Sequence, residues 1–326
     1  MKEIKWAVLG CGVIANEMAV ALQKNGKNIY AVGNRTHEKA AAFAEKYGIG
    51  KVYDDFHEMF TDPEVDVIYI TTPHNTHLGF MKEAIANGKH ILVEKSITLN
   101  SDELDEAIAL AKEKGVIIGE AMTIYHMPIY KELKKILDSG RLGRVNLITM
   151  NFGSFKEYNM KNRFFNRNLA GGAMLDIGVY ALSIVRSFLD KQPDEIVSQW
   201  KPSPTGSDEQ ATILLKNAQG QMATVALSMH SKQPKRAMIS LEKGYIEIME
   251  YPRADKAVIV DAESGAQTEI TAGDTADALY YEMQDMEQAV KSGDASAMQL
   301  AYSRDVMEIM TKLRKDWGMK YPGEAW

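Results

Sequence analysis

Near its N-terminus the chain carries Gly10-Cys11-Gly12-Val13-Ile14-Ala15, a run of residue types suited to holding a pyrophosphate. The first glycine permits a tight turn, and the second lets backbone approach an anion with no Cβ in the way. Ala15 is small enough for a helix to pack closely on the preceding strand. The amides of Val13 and Ile14 at the start of that helix then face the phosphates. Farther on, where an acid would signal a free ribose 2′-hydroxyl, the sequence reads Gly33-Asn34-Arg35-Thr36. Arg35 offers a planar, permanently charged fork suited to a 2′-phosphate, and Asn34 can donate to phosphate or hydroxyl, so the pair favours NADP over NAD. Cys11 has no partner base in sequence and reads as a small packed residue rather than a nucleophile.

Two further clusters follow. Thr71-Thr72-Pro73-His74-Asn75-Thr76-His77 comes after an apolar run, and Lys89-His90-Ile91-Leu92-Val93 leads to Glu94-Lys95. The carboxyl ends of strands are where an open α/β sheet binds ligands, which places Thr71, Thr72, Pro73, Asn75, His77 and Glu94 at the cofactor. A lysine at such a strand end points into the cleft over the nicotinamide, where desolvation makes its amine available for proton transfer. His74 and His77 at i, i+3 invite a metal reading, but no Cys or acid lies close in sequence and no metal is expected.

These residues need elements to hold them. Residues 4–9, 29–33, 65–71, 90–94 and 116–119 read as short strands. Helical patterns at 13–24, 38–47, 76–87 and from Asn100 or Ser101 onward alternate with them. In the last of these, Leu104, Ala107, Ile108 and Ala111 make a core-facing stripe, and Asn100 with Glu103 makes a capping box. Strands alternating with helices of about 10–15 residues imply a doubly wound parallel sheet, here a Rossmann domain over residues 1–121. After one more helix at 128–138 the pattern changes. Strands at 211–216, 221–229, 237–241, 245–249 and 258–260 are separated by glycine turns. This predicts an α+β domain over 122–326, with a large, mainly antiparallel open sheet covered on one face by helices near 175–189, 276–291 and 302–315.

The composition fits this plan. At 326 residues, 45% apolar and 25% charged, the chain suits two globular domains. The net charge of −6, with no long basic block, argues against nucleic acid or an anionic membrane as partner. No apolar run approaches the ~20 residues of a membrane span. One cysteine and no signal-peptide pattern suit the cytoplasm.

Taken together, the G-x-G-x-x-A turn, "TTPHNTH", "GKHILVEK" and the later "GGAMLDIGVYAL" resemble the Gfo/Idh/MocA oxidoreductases. The resemblance runs in order from Ile4 to about Leu182. It is nearest the branch of dimeric dihydrodiol and D-xylose dehydrogenases, which share "EAM" at Glu120–Met122 and "LDSGRLG" at 137–143. It implies an NAD(P)-dependent dehydrogenase or reductase that moves hydride between nicotinamide and a secondary alcohol or carbonyl of a sugar, polyol or cyclic diol. The other class on the same fold is a non-catalytic NAD(P)-binding sensor or regulatory protein. The resemblance assigns Lys95, Asp176 and Tyr180 to catalysis. Asp176 and Tyr180 stand at i, i+4, on one face of a helix, and either Lys95 or Tyr180 is the proton donor.

The sequence departs from the family at two places. Ser96 stands where Glu-Lys is usually followed by proline, which removes the ring's constraint on the chain around Lys95. The run after Met122 is Thr123-Ile124-Tyr125-His126, without the branch's Trp and Arg. Thr123, His126 and Arg163, the last in the loop before the second-domain helix, are the expected substrate contacts. The uncovered face of the second sheet, with Met222, Val225, Leu227, Met229 and Ile239, predicts a homodimer packed sheet to sheet.

Overall fold

The computed structural model describes residues 3–324 and 326. They form two compact units, one comprising the chain up to Tyr125 together with residues 276–300, the other comprising the rest.

The first unit holds a six-stranded parallel sheet. Its strands are β1 (Trp6–Leu9), β2 (Ala31–Gly33), β3 (Lys51–Tyr53), β4 (Val67–Ile70), β5 (His90–Glu94) and β6 (Ile118–Ala121), in the order β3-β2-β1-β4-β5-β6. β1 and β4 are buried along their whole length, as strands covered by helices on both faces must be. The chain turns opposite ways from β1 and β4, so the carboxyl ends of these two strands flank the topological switch point. Helices His37–Tyr47 and Ser101–Lys114 each end on a left-handed glycine, Gly48 and Gly115. Asn100 caps the latter by accepting from the Glu103 amide at 2.9 Å, and Glu103 in return accepts from the Leu99 amide at 3.0 Å.

The expectation that a helix near 276–291 covers the second sheet needs correction, because helix Ala278–Ser292 belongs to this first unit. Leu279, Met283 and Met286 join Trp6, Val8, Met18 and Leu22 in one core. The buried Trp6 indole donates to Glu287 at 3.2 Å, and Lys27 and Lys291 pair with the same carboxylate. The helix has an apolar face that suits either sheet, and the indole and Lys27 supply the partners Glu287 needs when buried.

The second unit holds eight strands: β7 (Val145–Gly153), β8 (Glu195–Pro202), β9 (Asp208–Lys216), β10 (Met222–Ser228), β11 (Gln233–Leu241), β12 (Gly244–Met249), β13 (Lys256–Asp261) and β14 (Gln267–Thr271). Their order is β14-β13-β12-β11-β7-β10-β9-β8, antiparallel at every step except β7 with β10. Inward residues alternate with outward ones, and helix Val179–Phe188 packs on the inner face against β7, β10 and β11. That alternation corrects the expected outward patch. Val225, Leu227, Met229 and Ile239 are buried, and of the five only Met222 is exposed. The exposed large apolar residues of these strands are instead Leu147, Met222, Leu214, Val197 and Met249. Leu147 is paired with Met222, and Leu214 with Val197. Residues 167–188 are long and apolar enough to cross a membrane by length and composition, contrary to the expectation that no run would be. However, 78% of that window is buried, as suits a core helix.

Candidate active site

In the first unit, the turn after β1 is built as its sequence suggests. Gly10 has φ +109° and its amide donates to the Gly33 carbonyl at 2.8 Å. A Cβ there would lie 2.5 Å from Thr71 Oγ1. Gly12 has nothing within 4 Å of where its Cβ would be, and no side chain caps helix Val13–Lys24. Open space beside an uncapped helix start, next to the switch point, fits a dinucleotide pyrophosphate. Ala15 is fully buried, Ile14 is half-buried and Val13 is exposed. Burial pushes the Cys11 thiol up to about 11, and Lys39 pulls it only slightly back, so Cys11 is a neutral packed residue at ordinary pH. At the end of β2, Asn34 donates to the Thr36 carbonyl at 3.0 Å and Arg35 is exposed. Lys39, close enough to act on Cys11, is a cation the sequence reading passed over.

The loops after β4 and β5 are tied together by two histidines. His74 Nε2 meets the Lys95 carbonyl at 3.0 Å. His77 is completely buried, with Nε2 at 2.8 Å from the Thr72 carbonyl and Nδ1 at 3.1 and 3.2 Å from the Ser96 and Ile97 carbonyls. Glu120 accepts from the Ile97 amide at 3.0 Å, and Tyr69 donates to Glu94. The Lys95–Ser96 peptide is cis. The backbone on either side of the missing proline is thus held by hydrogen bonds. His77, expected at the cofactor, is a fastener of this loop: both ring nitrogens face backbone carbonyls, and burial pushes its pKa down. Thr71 Oγ1 donates to Leu9 O, Thr76 Oγ1 donates to Thr72 Oγ1, and Pro73 and Asn75 are exposed at the loop surface.

In the second unit, Gly171 and Gly172 open a helical stretch that continues as a widened turn, Met174–Gly178, and then as helix Val179–Phe188. Asp176 lies in the widened turn, which accommodates more residues per turn than an α-helix. Asp176 and Tyr180 stand at i, i+4 across the join between this turn and the helix. Gly178 lets this turn press on β10, for a Cβ there would lie 2.9 Å from Leu227 Cδ1. Asp176 is buried and meets the Arg163 guanidinium at 3.3 Å, and that guanidinium also stacks on the Phe164 ring. Tyr180 is half-buried with its ring 6.2 Å from that of Phe152. Thr123 and His126 are buried in a short helix, so of the three expected substrate contacts only Arg163 is exposed. The structure brings Arg163 and Asp176 together in one unit, and Lys95 with the His74–His77 loop in the other.

The family model for the Gfo/Idh/MocA oxidoreductases' NAD-binding Rossmann fold matches residues 4–122, and that for their C-terminal domain matches residues 130–247. The chain belongs to the Gfo/Idh/MocA oxidoreductase family. Trans-1,2-dihydrobenzene-1,2-diol dehydrogenase from Xenopus laevis is 30% identical to it over 98% of this chain and 99% of the relative. The enzyme of the same name from Mus musculus is 27% identical over 98% of each. Among solved structures, the 3-ketoreductase KijD10 from Actinomadura kijaniata, in complex with NADP and TDP-benzene, superposes with a TM-score of 0.86. It is 22% identical, over 96% of this chain and 98% of that one. The aldose-aldose oxidoreductase from Caulobacter crescentus gives the same TM-score at 21% identity, over 96% and 97%.

As a Gfo/Idh/MocA protein the chain is an NAD(P)-dependent oxidoreductase, and the Gly10–Ala15 turn fits the dinucleotide that family binds. Two buried acids of this enzyme, Glu120 and Asp208, carry no signal of their role in the sequence. Glu120 lies in a strand, where a buried carboxylate needs a purpose. Asp208 opens β9 with nothing nearby in sequence to mark it. Its Oδ2 accepts from the Met174 amide at 2.5 Å, at the start of the stretch that carries Asp176.

Proposed function

We propose that this enzyme prefers NADP and interconverts a secondary alcohol and its carbonyl on a cyclic diol, sugar or polyol. Lys95 carries the reading, because it directly follows β5, at the head of a loop held in place by His74, His77 and Glu120. When bound, the nicotinamide supplies the hydride chemistry. The chain's own residues do the rest. The helix start at Val13 and Ile14 meets the pyrophosphate, and Arg35 with Lys39 meets the 2′-phosphate. Lys95 and Tyr180 move the hydroxyl proton, and Asp176, with Arg163 beside it, fixes the charge around that transfer. In the oxidation direction the hydride would pass to the nicotinamide, and the side-chain base would take the hydroxyl proton. The cyclic diol is the first substrate to try, on the strength of the relatives' names.

The test is a panel of trans-1,2-dihydrobenzene-1,2-diol, D-xylose and other polyols with each cofactor, followed at the reduced nicotinamide absorbance. Lys95→Met should cut turnover by ~10²-fold or more with cofactor affinity nearly unchanged, and undiminished turnover sinks the assignment. Arg35→Ala should weaken NADP by about tenfold and leave NAD unaffected.

The outward pairs Leu147–Met222 and Leu214–Val197 support a homodimer through the second sheet, since a self-complementary apolar face suits two-fold pairing. Light scattering should give twice the chain mass at micromolar concentration, reduced to one by Leu214→Glu. A wild-type monomer overturns the dimer.

A further inference from the structure

Asp208 is completely buried and lies against the turn that precedes Asp176. Besides accepting from the Met174 amide, its carboxylate occupies the space a side chain at position 172 would fill: a Cβ on Gly172 would collide with Oδ1. Among the described residues Oδ1 has no hydrogen-bond partner. A second layer backs this contact. Arg314, also completely buried, makes two bonds to Glu324 at 2.7 and 2.8 Å and stacks on Tyr321. Glu324 accepts from the Tyr321 amide at 2.6 Å, and the Tyr321 hydroxyl donates to the Gly171 carbonyl at 3.1 Å. On the other side of the turn Arg167 donates to the Lys320 carbonyl. The tail from Lys320 to Glu324 therefore grips both ends of the loop that leads into the widened turn.

We propose that Asp208 and the Arg314–Tyr321–Glu324 cluster are positioning residues, which set the place of Asp176 by holding the Gly171–Met174 backbone from beneath. A purely apolar filling would support the fold as well or better, because buried charge is costly. What the carboxylate adds is a fixed acceptor for the first amides of the helix, which orients its first turn. Burial pushes the Asp208 carboxyl up to about 7, opposed by the Met174 amide, its own amide, Arg314 and the Ala173 amide. The charged and titratable groups facing it are Arg314, Tyr321 and, through Arg314, Glu324.

The inference rests on Asp176 acting in catalysis, and the experiment separates the two. Asp208→Asn keeps the side chain's size but replaces the carboxylate, an acceptor at both oxygens, with a neutral amide whose NH2 group can only donate toward the Met174 and Ala173 amides. With trans-1,2-dihydrobenzene-1,2-diol and NADP it should lower kcat by roughly tenfold or more, while KM and cofactor affinity stay within about twofold and the melting temperature does not fall. Tyr321→Phe should lower kcat by about threefold with the same selectivity. Asp176→Asn is the control. If it leaves turnover intact, the reading of the site fails. If it abolishes turnover but Asp208→Asn and Tyr321→Phe do not alter kcat, positioning fails while that reading stands. A loss in Asp208→Asn that merely tracks a fall in melting temperature also overturns positioning. If Asp208→Asn does not fold, Tyr321→Phe alone decides.

Discussion

The two glycine turns of this enzyme look alike in sequence and differ in purpose. At Gly12 the missing Cβ faces open space. At Gly171 and Gly172 it faces the protein itself: the Arg163 carbonyl in one case, the Asp208 carboxylate in the other. The first turn leaves room for an anion brought from outside. The second lets an anion belonging to the protein approach the backbone. A glycine needed for a ligand and a glycine needed for a neighbour therefore respond differently to substitution.

That difference predicts the largest effects. Gly172→Ala places a Cβ on the Asp208 carboxylate at φ +138°, a conformation alanine rarely adopts. Backbone strain and overpacking each cost about 1–3 kcal/mol, so the variant should melt many degrees lower or fail to fold. Gly12→Val puts its side chain into open space at an unremarkable φ of −74°. It should melt near the wild type and bind NADP at least ~100-fold more weakly, since the branched side chain takes the pyrophosphate's place. Thermal melts and cofactor titrations on both variants check this. Equal destabilisation of the two would erase the contrast.

The same contrast explains what could be read from the sequence. Gly10, Gly12 and Ala15 act within six consecutive residues, so their spacing alone reveals the turn. The parallel sheet was legible for a similar reason, as short apolar strands alternate with helices closed by Gly48 and Gly115. Asp208 was not legible, because it meets Met174 34 residues away, and at the start of a strand it reads as a turn residue. Helix Ala278–Ser292 shows an apolar face but not which sheet receives it. That choice depends on Trp6 and Lys27, more than 250 residues earlier in the chain. His77 was found as part of a motif but given the wrong neighbour: strand-end position suggested cofactor, and only the fold shows three carbonyls around its ring. The outward sheet face was misjudged for lack of register. A single-residue shift exchanges the faces, and the strand boundaries were not sharp enough to set it.

Burial acts on a titratable group in each turn, and this gives the smaller, pH-dependent test. In the first turn it pushes the Cys11 thiol up to about 11, so that turn carries no titration between pH 4 and 9. In the second it pushes Asp208 up to about 7. A carboxyl whose folded pKa lies above its unfolded value binds its proton more tightly in the native state. Below pH ~4 both states are protonated and the group contributes nothing. Between there and pH 7 the unfolded chain releases the proton first, so stability falls as pH rises, and above 7 the full cost of the buried charge is present. The raised value corresponds to at most ~4 kcal/mol. Asp208→Asn removes this contribution and leaves every other carboxylate in place. Its melting temperature should therefore exceed the wild type's at pH 8 by several degrees and by far less at pH 4. Equal offsets at the two pH values would show that Asp208 does not change charge over this range, and the second turn would then be as electrically silent as the first.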